Sequence, residues 1–168
     1  LYGALQAIDA RVSRIPVDPR GRLDVDAVAA AVTPETALVA VIGAQNEIGN
    51  IYPVQAVVEA VAPCPVLCDA VQWFGKLPLD VGRLGCAAIA LSGHKIGAPT
   101  GVGALWLREG VTARNVLRGG PQERGRRAGT ENVSGVAGFG AAAEATTARI
   151  AEMPRIVGLR DVLERAVL

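Results

Sequence analysis

Three short apolar runs in this chain stop on a polar residue or a polar loop, with helical stretches between them. Ala37 to Ile42 is a continuous run rich in β-branched residues and leads into the loop Gly43 to Asn50. Val66 to Cys68 stops at Asp69, and Cys86 to Leu91 stops at Ser92. Such runs, lacking polar alternation, are the pattern of strands buried on both faces of a parallel sheet. Val102 to Leu107 reads as a fourth strand. Between them, Asp24 caps a helix that runs through Val32 and is stopped by Thr33-Pro34, and Pro53 opens a helix to about Ala62. Strand alternating with helix predicts an α/β fold with a mainly parallel sheet. Outside this block, residues 1–10 read as a helix end and Arg11 to Val17 as a strand closing at Pro16, followed by the turn Asp18-Pro19-Arg20-Gly21. Arg114 to Asn132 is polar, glycine-rich and irregular. A long Ala/Gly-rich helix is expected from Asn132 to about Glu152, with Pro154 starting the last one.

Composition removes several function classes. At 168 residues, 51% hydrophobic and 20% charged, the chain is one globular domain rather than a disordered segment. A net charge of +1 gives no long-range attraction to nucleic acid or to a membrane. Aromatic residues at 4% are too few for a base-stacking surface. No apolar run approaches the ~20 residues that span a bilayer. The cysteines, Cys64, Cys68 and Cys86, are odd in number and lack framework spacing, which predicts reduced thiols in the cytoplasm. A single histidine and no C-x-x-C pair argue against structural zinc. Gly101-x-Gly103 does not extend to a G-x-G-x-x-G after a first strand, so a dinucleotide fold fits poorly.

In open α/β sheets, ligands bind outside the carboxyl ends of the strands. Asn46, Asp69 and the sequence Ser92-Gly93-His94-Lys95 all fall at such ends. A lysine among small residues at a strand end can serve as an amine nucleophile, and Ser92 and His94 are donors suited to a phosphate. Lysine beside a phosphate grip points to a Schiff base with pyridoxal phosphate; taken alone, the same four residues also suit a surface turn. Asp69 is either a helix cap or an ion-pair partner. In the second role it would keep the pyridine nitrogen of such a cofactor protonated, so that the ring acts as an electron sink. Gln72 either reaches the phenolic oxygen or is an exposed helix-start residue.

Four motifs together resemble the cysteine desulfurases of the class V aminotransferase group. They are Asn46-Glu47-Ile48-Gly49; Asp69-Ala70-Val71-Gln72 with Gly75-Lys76-Leu77-Pro78-Leu79-Asp80; Ser92-Gly93-His94-Lys95; and the segment Gly119 to Asn132. The last resembles the branch typified by iron–sulfur-cluster and nitrogenase-associated desulfurases. The resemblance runs from about Val12 to Glu144. It implies that Lys95 carries the cofactor and later moves protons on the substrate. It also implies that Asp69 pairs with the pyridinium nitrogen, that Gln72 contacts the phenolic oxygen, and that Ser92 and His94 bind the phosphate. Asn46 would lie near the ring and the substrate carboxylate. Thr130 would complete the phosphate site of the partner subunit in a homodimer. Without the resemblance, Arg124, Arg126 and Arg127 read as an anion patch.

The implied fold is a three-layer α/β sandwich, part of the large domain of fold-type I pyridoxal-phosphate enzymes, with residues 1–168 a partial cofactor domain. The implied activity of the intact protein is removal of sulfur from L-cysteine, giving alanine and an enzyme persulfide for a sulfur-acceptor protein. The alternatives are selenocysteine lyase, an aminotransferase, or a non-catalytic scaffold. The family's ring-stacking histidine and an earlier phosphate loop are expected before residue 1, and its sulfur-accepting cysteine and carboxylate-binding arginine after residue 168. The chain alone is therefore expected to bind the cofactor weakly, to lack desulfurase activity and to self-associate. Thr100 stands where many relatives have lysine, and Ala98 where many have glycine.

Overall fold

The computed structural model describes residues 10–168. The helix end expected at residues 1–10 lies, except for Ala10, outside the described residues. In chain order the elements are α1 (Val25–Ala31), β1 (Val39–Ile42), α2 (Val54–Ala60), β2 (Val66–Asp69), α3 (Val81–Leu84) and β3 (Ala88–Ser92). A 3-10 turn (Gly93–Ile96), β4 (Gly103–Leu107), a distorted helical turn (Gln122–Gly125), α4 (Val133–Glu144) and α5 (Thr146–Val167) follow. The four strands form one sheet in the order β1-β2-β3-β4. The first three are parallel and β4 is antiparallel to β3. The mainly parallel sheet is as the sequence pattern predicts.

Local chemistry explains where the elements start and stop. Asp24 caps α1, its carboxylate accepting from the N–H groups of Asp26 (2.9 Å) and Ala27 (3.3 Å). Asp80 does the same for α3 through Gly82 (2.9 Å) and Arg83 (3.1 Å). The turn before α1 is closed by Gly21 N–H donating to the Asp18 carbonyl at 2.8 Å. A hydrogen bond to the Arg22 backbone, and the Arg22 side chain with it, hold the Asp18 carboxyl below its ordinary range.

Strand register divides the sheet into two unlike faces. Val39, Val41, Val66, Cys68, Ile89 and Trp106 lie on one face and join Val28 of α1, Val54 and Val57 of α2, and Leu84 of α3 in the core. Val57, Cys68 and Ile89 are completely buried. Burying an aliphatic side chain of this size stabilises the fold by roughly 1.5–3 kcal/mol. The other face carries Ala40, Ile42, Leu67, Asp69, Ala88, Ala90, Ser92 and Leu105. Of these, Ile42 (39% exposed) and Leu105 (56%) are open to solvent. The described residues thus supply the sheet and one helical layer over it, while α4 and α5 pack at the carboxyl end of the strands.

Three local expectations need correction. Arg11 to Val17 is extended but forms no strand, and its one backbone bridge among the described residues joins Val17 to Leu23. Extended backbone becomes a strand only with a partner, and β1 is an edge. β1 is buried on one face rather than two, because the described helices cover only one face of the sheet. The helix break falls at Ala145, and Pro154 lies inside α5 rather than at its start. At the break, the Thr146 hydroxyl donates back to the Ala143 carbonyl at 2.7 Å, a bond that bends helices.

Candidate functional site

The carboxyl end of β3 turns abruptly. Ser92 ends the strand, and Gly93–Ile96 forms a single 3-10 turn closed by Gly97 at φ +84°. Gly93 donates its N–H to the Val102 carbonyl at 2.9 Å, and Ala98 donates to the Gly93 carbonyl at 3.0 Å. A Cβ on Gly93 would come within 3.0 Å of Ala98 Cβ, Val102 Cγ1 and the Val102 carbonyl, so no larger residue fits unmoved. Ile96 is buried and pins the turn from below. Its carbonyl accepts from the Arg149 guanidinium of α5. With Ile96 inward, His94 and Lys95 are left on the exposed side.

Ser92 Oγ and His94 Nδ1 are 2.8 Å apart. A neutral imidazole can share one proton with that hydroxyl and present one outward donor, either Ser92 O–H or His94 Nε2–H. A protonated ring presents both, because Nδ1–H then donates to Oγ. The pair is therefore adapted to an anion with several acceptor oxygens. Lys95 makes no hydrogen bond or ion pair among the described residues.

Asp69 ends β2, the parallel neighbour of β3, opposite Ala90. Ser92 is two residues beyond Ala90, so Asp69 and Ser92 lie on the same sheet face at the same edge. One Asp69 oxygen accepts from the Val71 N–H at 3.0 Å and so closes the turn after β2, where no helix follows for it to cap. The other makes no hydrogen bond among the described residues. Gln72 is half-buried in the following turn, its amide oxygen 2.7 Å from Lys76 Nζ. Lys76 also donates to the Gln72 carbonyl at 3.2 Å. Burial first, and the charge of Lys95 second, push the Lys76 ammonium below its ordinary range, which puts the two lysines within electrostatic reach.

Asn46 is exposed in the loop that leaves β1 at this edge. Thr130 is exposed in the irregular segment before α4, its carbonyl accepting from Arg127 at 3.3 Å. No hydrogen bond among the described residues ties Thr130 to the Ser92–Lys95 turn. The structure thus gathers Asp69, Gln72, Ser92, His94 and Lys95 on two adjacent strand exits.

Sequence reading gave no role to four supporting residues. Arg149 holds the turn, and Lys76 holds Gln72. Trp73 donates its indole N–H to the Pro78 carbonyl at 2.9 Å and lies against Gly43, where a Cβ would meet its ring at 2.4 Å. Phe74 packs edge-to-face on Phe139 of α4, with ring centroids 6.4 Å apart, and so joins the Gln72 turn to the helix. For Lys76 a signal existed, since Gln72 and Lys76 stand at helical i,i+4 spacing. Arg149 had none, because it is 53 residues from its acceptor.

Residues 3–156 match the family model described as aminotransferase class-V. The chain belongs to the class-V aminotransferase family. A cysteine desulfurase of Gluconacetobacter diazotrophicus is 47% identical to this class-V domain over 161 residues, covering 94% of the chain and 40% of the relative. The X-ray structure of a NifS-like protein from Rickettsia africae superposes with a TM-score of 0.90 at 30% identity, over 99% of this chain and 48% of that one. The protein SspA, solved in complex with cysteine, gives a TM-score of 0.80 at 31% identity, covering 85% of this chain and 42% of that one. The class-V domain therefore spans about 40% of the length of the curated relative, and its open mixed sheet with helices is that of the NifS-like structures. Among the described residues, no helix is long and apolar enough to cross a membrane.

Proposed function

We propose that the full-length protein is a pyridoxal-phosphate-dependent cysteine desulfurase, removing sulfur from L-cysteine to give L-alanine and a persulfide on the enzyme. The observation that carries this reading is the joint placement of an anion-gripping Ser92–His94 pair and an unpaired Lys95 in one rigid turn. A carboxylate with one free oxygen, Asp69, stands on the neighbouring strand exit. That donor set matches the cofactor group by group: hydroxyl and imidazole for the phosphate, amine for the aldehyde, carboxylate for the ring nitrogen. Pyridoxal phosphate, when bound, supplies an electron sink for the negative charge left when the substrate Cα loses its proton.

The remaining work falls to the chain. Ser92 and His94 hold the phosphate, and Asp69 keeps a proton on the ring nitrogen. Gln72 donates to the phenolic oxygen, and Asn46 lies toward the substrate carboxylate. Lys95 Nζ is the amine that would face the cofactor aldehyde, and it would take the proton from the substrate Cα. The 3-10 turn fixes Lys95 in place through Ile96 and Arg149. Thr130 serves the phosphate site of a second subunit in a homodimer. A sulfur-acceptor protein takes the product sulfur, and the protein works in the cytoplasm, where its free cysteines stay reduced. Relatives named cysteine desulfurase, and a neighbour solved with cysteine, support the choice of substrate. The test is the full-length protein, loaded with cofactor and given L-cysteine with a thiol reductant. Equal amounts of alanine and sulfide are expected; pyruvate or a keto acid in place of alanine would rule the reading out.

A further inference from the structure

We infer that Lys76 is a positioning residue that sets which way the Gln72 side chain faces, so that its amide N–H group rather than its oxygen is offered to the cofactor's phenolic oxygen. The inference rests on the function proposed above and deepens it, because the role of Gln72 is part of that reading.

The argument begins with a proton count. An ammonium carries three donors and no acceptor, so the amide atom facing Lys76 Nζ at 2.7 Å has to be the oxygen. The NH2 branch is then turned away from Lys76. A Gln amide without that partner can rotate by half a turn at little cost and present its oxygen instead, which would repel a phenolate. Lys76 is itself held. Its Nζ donates a second time, to the Gln72 carbonyl at 3.2 Å, so it grips both ends of the same residue. Its backbone N–H is fixed on the Trp73 carbonyl at 3.0 Å. The preceding Gly75, at φ +77°, lies against Ile96 and Thr146, where a Cβ would come within 2.7 and 3.1 Å. The Lys76 segment therefore leans on the same Ile96 that pins the Lys95 turn. The charge that bears on Lys76 is that of Lys95, which opposes its own. No carboxylate pairs with Lys76 among the described residues, so its ammonium is not diverted from the amide.

Two consequences have the same sign. A correctly oriented Gln72 stabilises negative charge on the phenolic oxygen, and the Lys76 cation disfavours a further positive charge close by. Both favour the deprotonated state of the Lys95-linked cofactor nitrogen. Removing Lys76 should therefore raise the pH at which the visible cofactor band changes.

The experiment uses the full-length protein loaded with pyridoxal phosphate, and titrates the visible band in wild type, Lys76→Met, Lys76→Arg, Gln72→Leu and the double variant Lys76→Met/Gln72→Leu. Thermal melts check that each is folded; Lys76→Gln replaces Lys76→Met if that variant does not fold. The expected result is an upward midpoint shift of about half a pH unit or more for Lys76→Met and for Gln72→Leu. Lys76→Arg should restore most of the wild-type midpoint, and the double variant should shift by clearly less than the sum of the two single shifts, because only the charge contribution of Lys76 survives without Gln72. A Lys76→Met midpoint equal to wild type, with Gln72→Leu shifted, would overturn the inference and leave the proposed function standing. Full additivity in the double variant would also overturn it, since Lys76 would then act by charge and not through Gln72. An unshifted Gln72→Leu would instead remove the proposed contact between Gln72 and the cofactor.

Discussion

Replacing Gly93 by alanine tests whether the 3-10 turn is the part that positions Lys95. Gly93 is buried, and its backbone is not in the left-handed region, so the substitution adds no conformational strain. Its entire effect is steric. The new methyl would stand 3.0 Å from three atoms, about half an ångström inside ordinary contact. None can withdraw freely. The Val102 carbonyl is bonded to the Gly93 N–H, and Ala98 is bonded to the Gly93 carbonyl. Overpacking of this kind costs about 1–3 kcal/mol. The turn is the softer side, so Lys95 should be displaced by a fraction of an ångström to one ångström, and a misplacement of one ångström can cost on the order of 100-fold in rate. Gly101→Ala is the control. At φ +80° it pays about 1 kcal/mol of backbone strain, yet its Cβ meets nothing within 4 Å and pushes on nothing. In full-length protein, both variants should melt earlier in urea. Only Gly93→Ala should lose most of the cofactor that borohydride traps on Lys95. If Gly93→Ala traps cofactor and turns over cysteine like wild type, the turn does not position Lys95 and the steric reasoning fails.

Lys95→Ala should abolish sulfide release with the far-ultraviolet spectrum unchanged, and normal turnover would exclude Lys95 as the amine. Asp69→Asn should cost activity far more than cofactor content, read by comparing sulfide release with the absorbance of bound cofactor; equal turnover would leave Asp69 only closing its turn. Asp24→Ala removes the α1 cap and should lower stability by about 1 kcal/mol in urea unfolding, without changing the cofactor spectrum. A hydrogen bond with Cys86, together with burial, pushes the Cys68 thiol up, so Cys68 stays protonated and unreactive. Iodoacetamide at pH 8 should label half-buried Cys64 well before Cys68 or Cys86, as peptide mapping would reveal.

The parts legible in the sequence were those set by local pattern. The cap at Asp24, the turn at Asp18–Gly21 and the strand exits at Asp69 and Ser92 are each decided by residues within a few positions. What the sequence concealed depended on contacts across the chain. β1 has an apolar run like that of β3, yet Ile42 is exposed because it lies on the sheet face that no helix covers among the described residues. The break at Ala145 precedes the proline that local rules favour, because α5 reaches Ile96 through Arg149 and Gly75 through Thr146. The charged clamp on Gln72 was within reach of helical spacing, but the turn that creates it depends on Gly75 lying against Ile96.

The antiparallel pairing of β3 with β4 has a consequence for the order of events during folding. Ser92 and Gly103 are joined by a short connection, whereas the parallel partners Val39 and Val66 must wait for a whole crossover helix. Pairings that are close in sequence close first and at lower entropic cost. The loop bearing Lys95 is thus shaped by the quickest pairing in the sheet, before the slower parallel strands are in register. Arg149 and Thr146 lie far downstream, so they reach a turn that already exists and lock it. Pulse-labelled amide exchange should find the Gly93 N–H protected ahead of those of β1, with Lys95 in place before the walls around it.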